Sequence, residues 1–309
     1  MSATTVATRS VRGRGPWELA FARLRRDRPA KIAAGVIVLL VLVSLLAPAV
    51  AAVTGHGPAD QFLDVGLSPN GTPRAPSAAF LLGTDGLGRD LLVRIVYGTR
   101  VSLLVGLLAS GVAVVLGTVI GIAAGWFGGA TDRVLSRAMD VFLSLPFLVF
   151  ALALVAVIGS GLGISIVVIA MFNWASVARI IRAQTLSVRQ LEFVQAARLL
   201  GASHRRIMFV EILPNVAATV IVYTTLLIPG AIVAEATLSF LGLSVVPPAP
   251  SWGNILSDAM SYYRVAWWFV LFPGLALLVS TVAFNVLGDS VRDALDPKLE
   301  RTERAEAAG

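Results

Sequence analysis

"LEFVQAARLLGASHRRIMFVEILPN", residues 191–215, is a polar, basic stretch with a helical rhythm, set between two long apolar segments and broken in its middle by a glycine. Phe193, Ala196, Ala197 and Leu200 fall at i, i+3, i+4, i+7, with Glu192, Gln195 and Arg198 on other faces, which predicts a short amphipathic helix. Gly201 follows where a left-handed residue would stop that helix. Ser203 can cap the next segment, which runs through "HRRIMFVEILP" to Pro214 and into another apolar span. The pattern is a helix, a sharp turn and a second helix. The small Ala196 and Ala197 suit the close approach of another protein's surface, although a helix resting on lipid would show the same periodicity.

The flanks of this knuckle decide its setting. Of 309 residues, 57% are hydrophobic and only 14% charged, far from the average soluble domain. A bilayer crossing needs about 20 mostly apolar residues, and six stretches qualify, roughly 31–53, 100–125, 134–158, 162–183, 215–242 and 265–288. The expectation is an all-α membrane protein with six transmembrane helices. With the N-terminus in the cytoplasm, twenty of the 25 basic residues fall on inside segments and only Arg74, Arg89, Arg94, Arg100 and Arg264 outside. The positive-inside rule therefore puts both termini and the 191–215 stretch in the cytoplasm.

The expected organisation is a cytoplasmic N-terminal tail over 1–30, a first span over 31–53 and an extracytoplasmic segment over 54–99. A five-helix core over 100–288 carries a loop at 186–214, and a cytoplasmic tail follows over 289–309. "PWELAFARLRRDRPAK" in the first tail reads equally as an interfacial helix or as a solvated basic tail. An uncleaved first helix is expected, with Ala47, Ala49 and Ala51 sustaining a signal-peptide reading as a lesser alternative. The net charge of +7 has no aromatic-rich readout surface beside it, so lipid headgroups explain it and nucleic acid does not. Zero cysteines exclude disulfides and thiolate metal sites.

Outside, "LLGTDGLGRDLLVRIVYG" (81–98) lacks the Lys-Ser/Thr ending of a phosphate loop. It reads as a turn capped by Asp85, then a short helix on the outer surface before the second span. Gly117, Gly121 and Gly125 recur every four residues, leaving a bare helix face for another helix of this chain or of a partner. Pro146, Pro229 and Pro273 interrupt three spans. In 241–268, three prolines exclude a continuous helix, while Trp252, Tyr262, Tyr263, Trp267 and Trp268 form an aromatic belt.

Catalytic and metal chemistry have no residues to work with, because His56 and His204 lie far apart, on opposite sides of the membrane. Glu235 is the one acidic residue deep in a span. It is a candidate contact for a cationic solute group, with a structural role, capping the kink after Pro229 and Gly230 or bonding a neighbouring helix, as the alternative.

These residues resemble a family. Ala196, Ala197, three residues, Gly201, then Leu213 and Pro214 look like the E-A-A-x3-G-x9-I-x-L-P loop of ATP-binding cassette (ABC) importer permeases, with Gln195 at the first Glu and Glu211 at the Ile position. "GTDGLGRD" (83–90), "RVSLLVG" (100–106), "EATLSFLGL" (235–243), "PPAPSWGNIL" (247–256) and "FNVLGDSVRDALDPKL" (284–299) narrow the resemblance to the C-type permease subunit of dipeptide, oligopeptide and nickel importers. The resemblance implies a type I ABC importer permease fold in the bacterial inner membrane. It also implies a cytoplasmic coupling helix with Gln195, Ala196, Ala197, Gly201, Leu213 and Pro214 at its coupling positions. Implied partners are a homologous second permease, two ABC ATPase subunits holding ATP and Mg, and an extracytoplasmic peptide-binding protein. The chain itself would bind no cofactor and carry no ATPase site. Short peptides are the expected solute, with nickel or another small solute as the alternative. From other classes, an ion-coupled secondary transporter using Glu235 or a membrane scaffold stays open.

Overall fold

A computed structural model describes residues 16–295. Arg9, Arg12, Arg14, Lys298, Arg301, Arg304 and the end of the 284–299 motif lie outside the described residues. Among the described residues there is no β-strand, only two isolated bridges, Leu67 with Pro73 and Thr84 with Asp90.

The small-residue stripe organises the fold. Helix α5 (Leu91–Phe127) and helix α8 (Leu162–Val188) pack along Gly117, Gly121 and Gly125. A Cβ on Gly117 would stand 2.6 Å from Val177, one on Gly121 2.6 Å from the Ala178 carbonyl, and one on Gly125 2.6 Å from Thr185. The stripe is therefore an internal seam, where bare backbone lets two helices approach more closely than any side chain permits. Both partner numbers rise together along it, so α5 and α8 run parallel, and the chain between them must return across the membrane.

That return is α6 (Gly129–Ser144) and α7 (Phe147–Ile158), bent by 93° at Leu145 and Pro146. Proline excludes the residue before it from the α region, so the helix ends there. Five helices are long and apolar enough to cross a membrane, and the bent pair makes the sixth. One bidentate pair of hydrogen bonds from Arg182 to Asp132 and a bond from Arg179 Nη2 to Asp140 at 2.6 Å hold α6 to α8.

Ahead of this core, α1 (Pro16–Leu24) packs on α13 (Trp267–Leu295), which settles the N-terminal stretch as a helix docked on the protein. α2 (Arg28–Leu45) also lies along α13, and α3 (Ala47–Thr54) continues it past a break at Leu46. Pro229 and Pro273 lie inside continuous helices, α11 (Leu213–Phe240) and α13.

The end of the bundle away from the knuckle is built from 55–90, with a single turn of helix, α4 (Leu63–Gly66), and from 241–266. Asp85 caps a turn, as the sequence predicts, accepting from the Leu87 and Arg89 amides at 2.9 and 3.0 Å. It also accepts from Arg89 Nε at 2.5 Å, and Arg94 Nε stands 3.2 Å from the same oxygen. Arg89 reaches Asp258 at 3.4 Å, and burial pushes that carboxyl above its ordinary value against the pull of Arg89 and Arg94.

The separate surface helix expected before the second span is absent. Asp90 caps α5 directly through the Leu92 and Val93 amides, and no breaker interrupts the 37 residues that follow. At 1.5 Å per residue such a helix is about 55 Å long and outreaches the ~30 Å hydrocarbon core. Its first turns, with Arg94, are thus buried against the 55–90 and 241–266 segments instead of lipid. The motif at 247–256 closes this end: Ser251 and Asn254 form a capping box for α12 (Trp252–Ala259). Trp252 is fully buried and donates from Nε1 to the Ile95 carbonyl at 3.3 Å.

Candidate functional site

The knuckle leaves α8 at Arg189, whose Nη1 donates to the Gly125 carbonyl at 2.7 Å and pins the exit to the end of α5. The coupling-type helix is α9 (Glu192–Leu199), with Glu192 in the first turn, where a carboxylate suits the helix dipole. Gln195 folds back and donates from Nε2 to the Arg189 carbonyl at 2.9 Å.

The helix ends in a Schellman motif. The Ala202 amide donates to the Ala197 carbonyl at 3.0 Å and the Gly201 amide to Arg198 at 3.1 Å, with Gly201 at φ +77°. Ser203 then accepts from the Arg206 amide at 3.3 Å and starts α10 (His204–Arg206). The sequence places both caps correctly.

The spacing does not pick out the residue that packs inward. Phe193, Ala196 and Leu200, read as one apolar stripe with Ala197, are exposed, and Val194 is the buried residue. Val194 joins Ile207, Ile212 and Val216 in an apolar cluster with Val177 and Ile181 of α8. Ala197 lies against that cluster, so its methyl and its carbonyl both serve the hairpin's own packing, while Ala196 faces outward. Leu199 and Leu200 are 89% and 87% exposed at the tip. Exposed apolar side chains grouped on a structured polar hairpin suit a protein or a membrane surface.

From Ile207 to Ile212 the chain is a π-helix, after which α11 begins with Pro214 in its first turn. Ile207 and Ile212 are both buried, five residues apart. In an α-helix five residues turn through ~500°, leaving the two side chains well apart in angle; the wider π turn brings them back to one face. Glu211, at the motif's Ile position, is therefore left beside Arg206 and Gly201 in a surface cleft, and Ile212 fills the core. Leu213 packs on the same cluster and Pro214 is exposed.

Two contacts that the sequence did not signal anchor the knuckle's second limb. Trp126 Nε1 donates to His204 Nδ1 at 3.1 Å, and the Phe127 ring lies 5.6 Å from the same imidazole. These residues are adjacent only because α5 and the knuckle end at one level. The knuckle is thus fixed to α5 and α8 on one side and continuous on the other with a helical rod running from His204 to Phe240.

Glu235 lies near the opposite end of that rod. It is fully buried and accepts from Ser102 Oγ of α5 at 2.9 Å, with Ser239, Ser244 and Ser251 around it. The contact is the helix-to-helix bond offered as one of its two readings. Among the described residues no group of three or more His, Cys, Asp and Glu side chains is placed to hold a metal ion.

Residues 117–301 match the family described as "Binding-protein-dependent transport system inner membrane component", and residues 15–69 match the "N-terminal TM domain of oligopeptide transport permease C". The chain belongs to this family of inner-membrane transport components. It is an ABC importer permease subunit. Among relatives of this permease, the di/tripeptide transport system permease protein DppC of Pseudomonas aeruginosa is 43% identical over 264 residues, covering 85% of this chain and 86% of the relative. The glutathione transport system permease protein GsiD of Pectobacterium atrosepticum is 37% identical over 300 residues, 97% of each chain. An inward-facing structure of the MetNI methionine ABC transporter superposes with a TM-score of 0.54 at 18% identity, over 66% of this permease and 96% of that chain. That likeness shows the type I importer permease fold.

Proposed function

We propose that this permease is the membrane path of an ATP-driven importer of short peptides, and that the 191–215 knuckle is its coupling helix. The observation that carries the reading is the exposed, internally braced hairpin at the head of one continuous helical rod. Gln195, Ala196, Ala197, Gly201, Leu213 and Pro214 are its coupling positions: Ala196 with Leu199 and Leu200 contacts the ATPase, and the others hold the shape that makes the contact possible. The charge asymmetry of the flanks supports a cytoplasmic location for the knuckle and both termini.

Partners are a homologous second permease, two ATPase subunits that hold ATP and Mg, and an extracytoplasmic peptide-binding protein meeting the 55–90 and 241–266 segments. Closure of the ATPases pushes the knuckle, and the rod from His204 to Phe240 carries that displacement through the membrane. The relatives' names, di/tripeptide and glutathione permeases, support a peptide solute. The bond between Glu235 and Ser102 supports a clamping role for that carboxylate.

The test is uptake of labelled alanyl-alanine by proteoliposomes holding the whole complex. Uptake that requires ATP and the binding protein supports the reading. Uptake by this permease alone, driven by a proton gradient, overturns it.

A further inference from the structure

Two of the clefts between this chain's membrane helices, one beside Met208 and Phe209 and one between α2 and α13, are lined almost wholly by apolar atoms, as lipid or another helix requires. A third is different. Between α8, α11 and α13, at the knuckle end, a cleft of ≈ 350 Å³ is lined by Gln184, Thr219, Tyr223 and Arg292 among Val222 and Leu226.

None of these four polar side chains makes a hydrogen bond or ion pair with another described residue. Tyr223 lies ten residues beyond Leu213, roughly 15 Å along α11. Thr219 and Tyr223 at that depth face lipid only at a cost, and Arg292 is exposed in the last turn of α13, so these polar groups line water or meet a polar ligand. The far wall of the cleft is α11, the rod that begins at the knuckle, so a displaced knuckle moves this wall directly.

We propose that this cleft carries the crossing solute on its way to the cytoplasm, with Arg292 facing a solute carboxylate and Gln184 and Tyr223 facing its amide groups. The inference rests on the peptide-importer reading above. A guanidinium pairs with a carboxylate, and a side-chain amide offers both the donor and the acceptor that a peptide group needs. The volume falls within the ~300–1,000 Å³ of small-molecule sites.

The chain has no cysteine, so single substitutions can be labelled cleanly. T219C and Y223C are introduced one at a time into the assembled complex and treated from the cytoplasmic side with a membrane-impermeant thiol reagent, with and without millimolar alanyl-alanine. The expected result is labelling that the dipeptide slows severalfold. Labelling only by a lipid-soluble reagent would place the cleft against lipid, and labelling only after removal of the second permease would make it a subunit interface; either overturns the proposal. R292Q is expected to raise the KM for uptake about tenfold, and R292K to recover most of the loss. An unchanged KM in R292Q removes the carboxylate assignment. Failure of the unsubstituted complex to take up the dipeptide would instead count against the importer reading, so the two failures are distinct.

Discussion

Gln195 Nε2 donates to the Arg189 carbonyl at 2.9 Å, closing the turn by which the chain leaves α8 and enters α9. A carboxylate in this position accepts and cannot donate. Gln195→Glu would set two acceptors against each other and release the turn, a loss of about 1 kcal/mol. Faster amide hydrogen exchange over 191–202 in the variant, with the rest of the bundle unchanged, is the expected observation. Equal protection in both proteins would remove Gln195 from the hairpin's framework.

Gly201 sits at φ +77° with open space around the position a Cβ would take. The penalty for a side chain there is conformational and not steric crowding, so it depends on residue type. Gly201→Val is expected to cost about 1–3 kcal/mol locally and to abolish ATP-driven uptake while leaving membrane insertion intact. Gly201→Asn, which tolerates the left-handed region, is expected to keep most of the transport. Wild-type uptake in Gly201→Val would remove the coupling assignment.

Leu199 and Leu200 are almost fully exposed and contribute little to the permease's own packing. Leu199→Ser with Leu200→Ser is expected to leave the thermal stability of the isolated permease within about 0.5 kcal/mol. In the complex the same pair is expected to weaken ATPase association by about 1–2 kcal/mol for each side chain that anchors it. Pull-down of the ATPase at graded salt and detergent checks this; unchanged association moves the contact elsewhere on the hairpin.

The seam between α5 and α8 offers a contrast within one helix. A Cβ on Gly121 would stand 2.6 Å from the Ala178 carbonyl, while one on Gly111 meets nothing within 4 Å. Gly121→Val is expected to lower the detergent melting temperature sharply or prevent accumulation. Gly111→Ala is expected to be neutral, or to stabilise by up to about 1 kcal/mol through helix propensity. Similar melting temperatures for the two variants would refute the seam.

Glu235 bonds to Ser102 in a fully buried setting. Glu235→Gln can still accept from that hydroxyl, and ATP-driven uptake is expected to persist. Glu235→Leu leaves the Ser102 hydroxyl without its partner, at about 1–3 kcal/mol. Complete loss of uptake in a stable Glu235→Gln protein would point to a titrating role instead.

Legible in one dimension were the apolar spans, the charge asymmetry across them, the turn at Gly201 with its cap at Ser203, and the order of family motifs. Each depends on residues within a few positions of one another, where backbone geometry or transfer to lipid decides the outcome. Only the tertiary structure decided that Gly117, Gly121 and Gly125 seat α8 of the same chain, because a bare helix face is equally open to any close-packing partner. It also turned Val194 inward, because the cluster it joins contains Ile207 and Ile212, placed on one face by a π turn that an α-helical spacing rule does not anticipate. The convergence of Gln184, Tyr223 and Arg292 was equally invisible in one dimension. Their chemistry is ordinary in each local segment, and it became a site when three helices brought polar groups without partners among the described residues to one cleft.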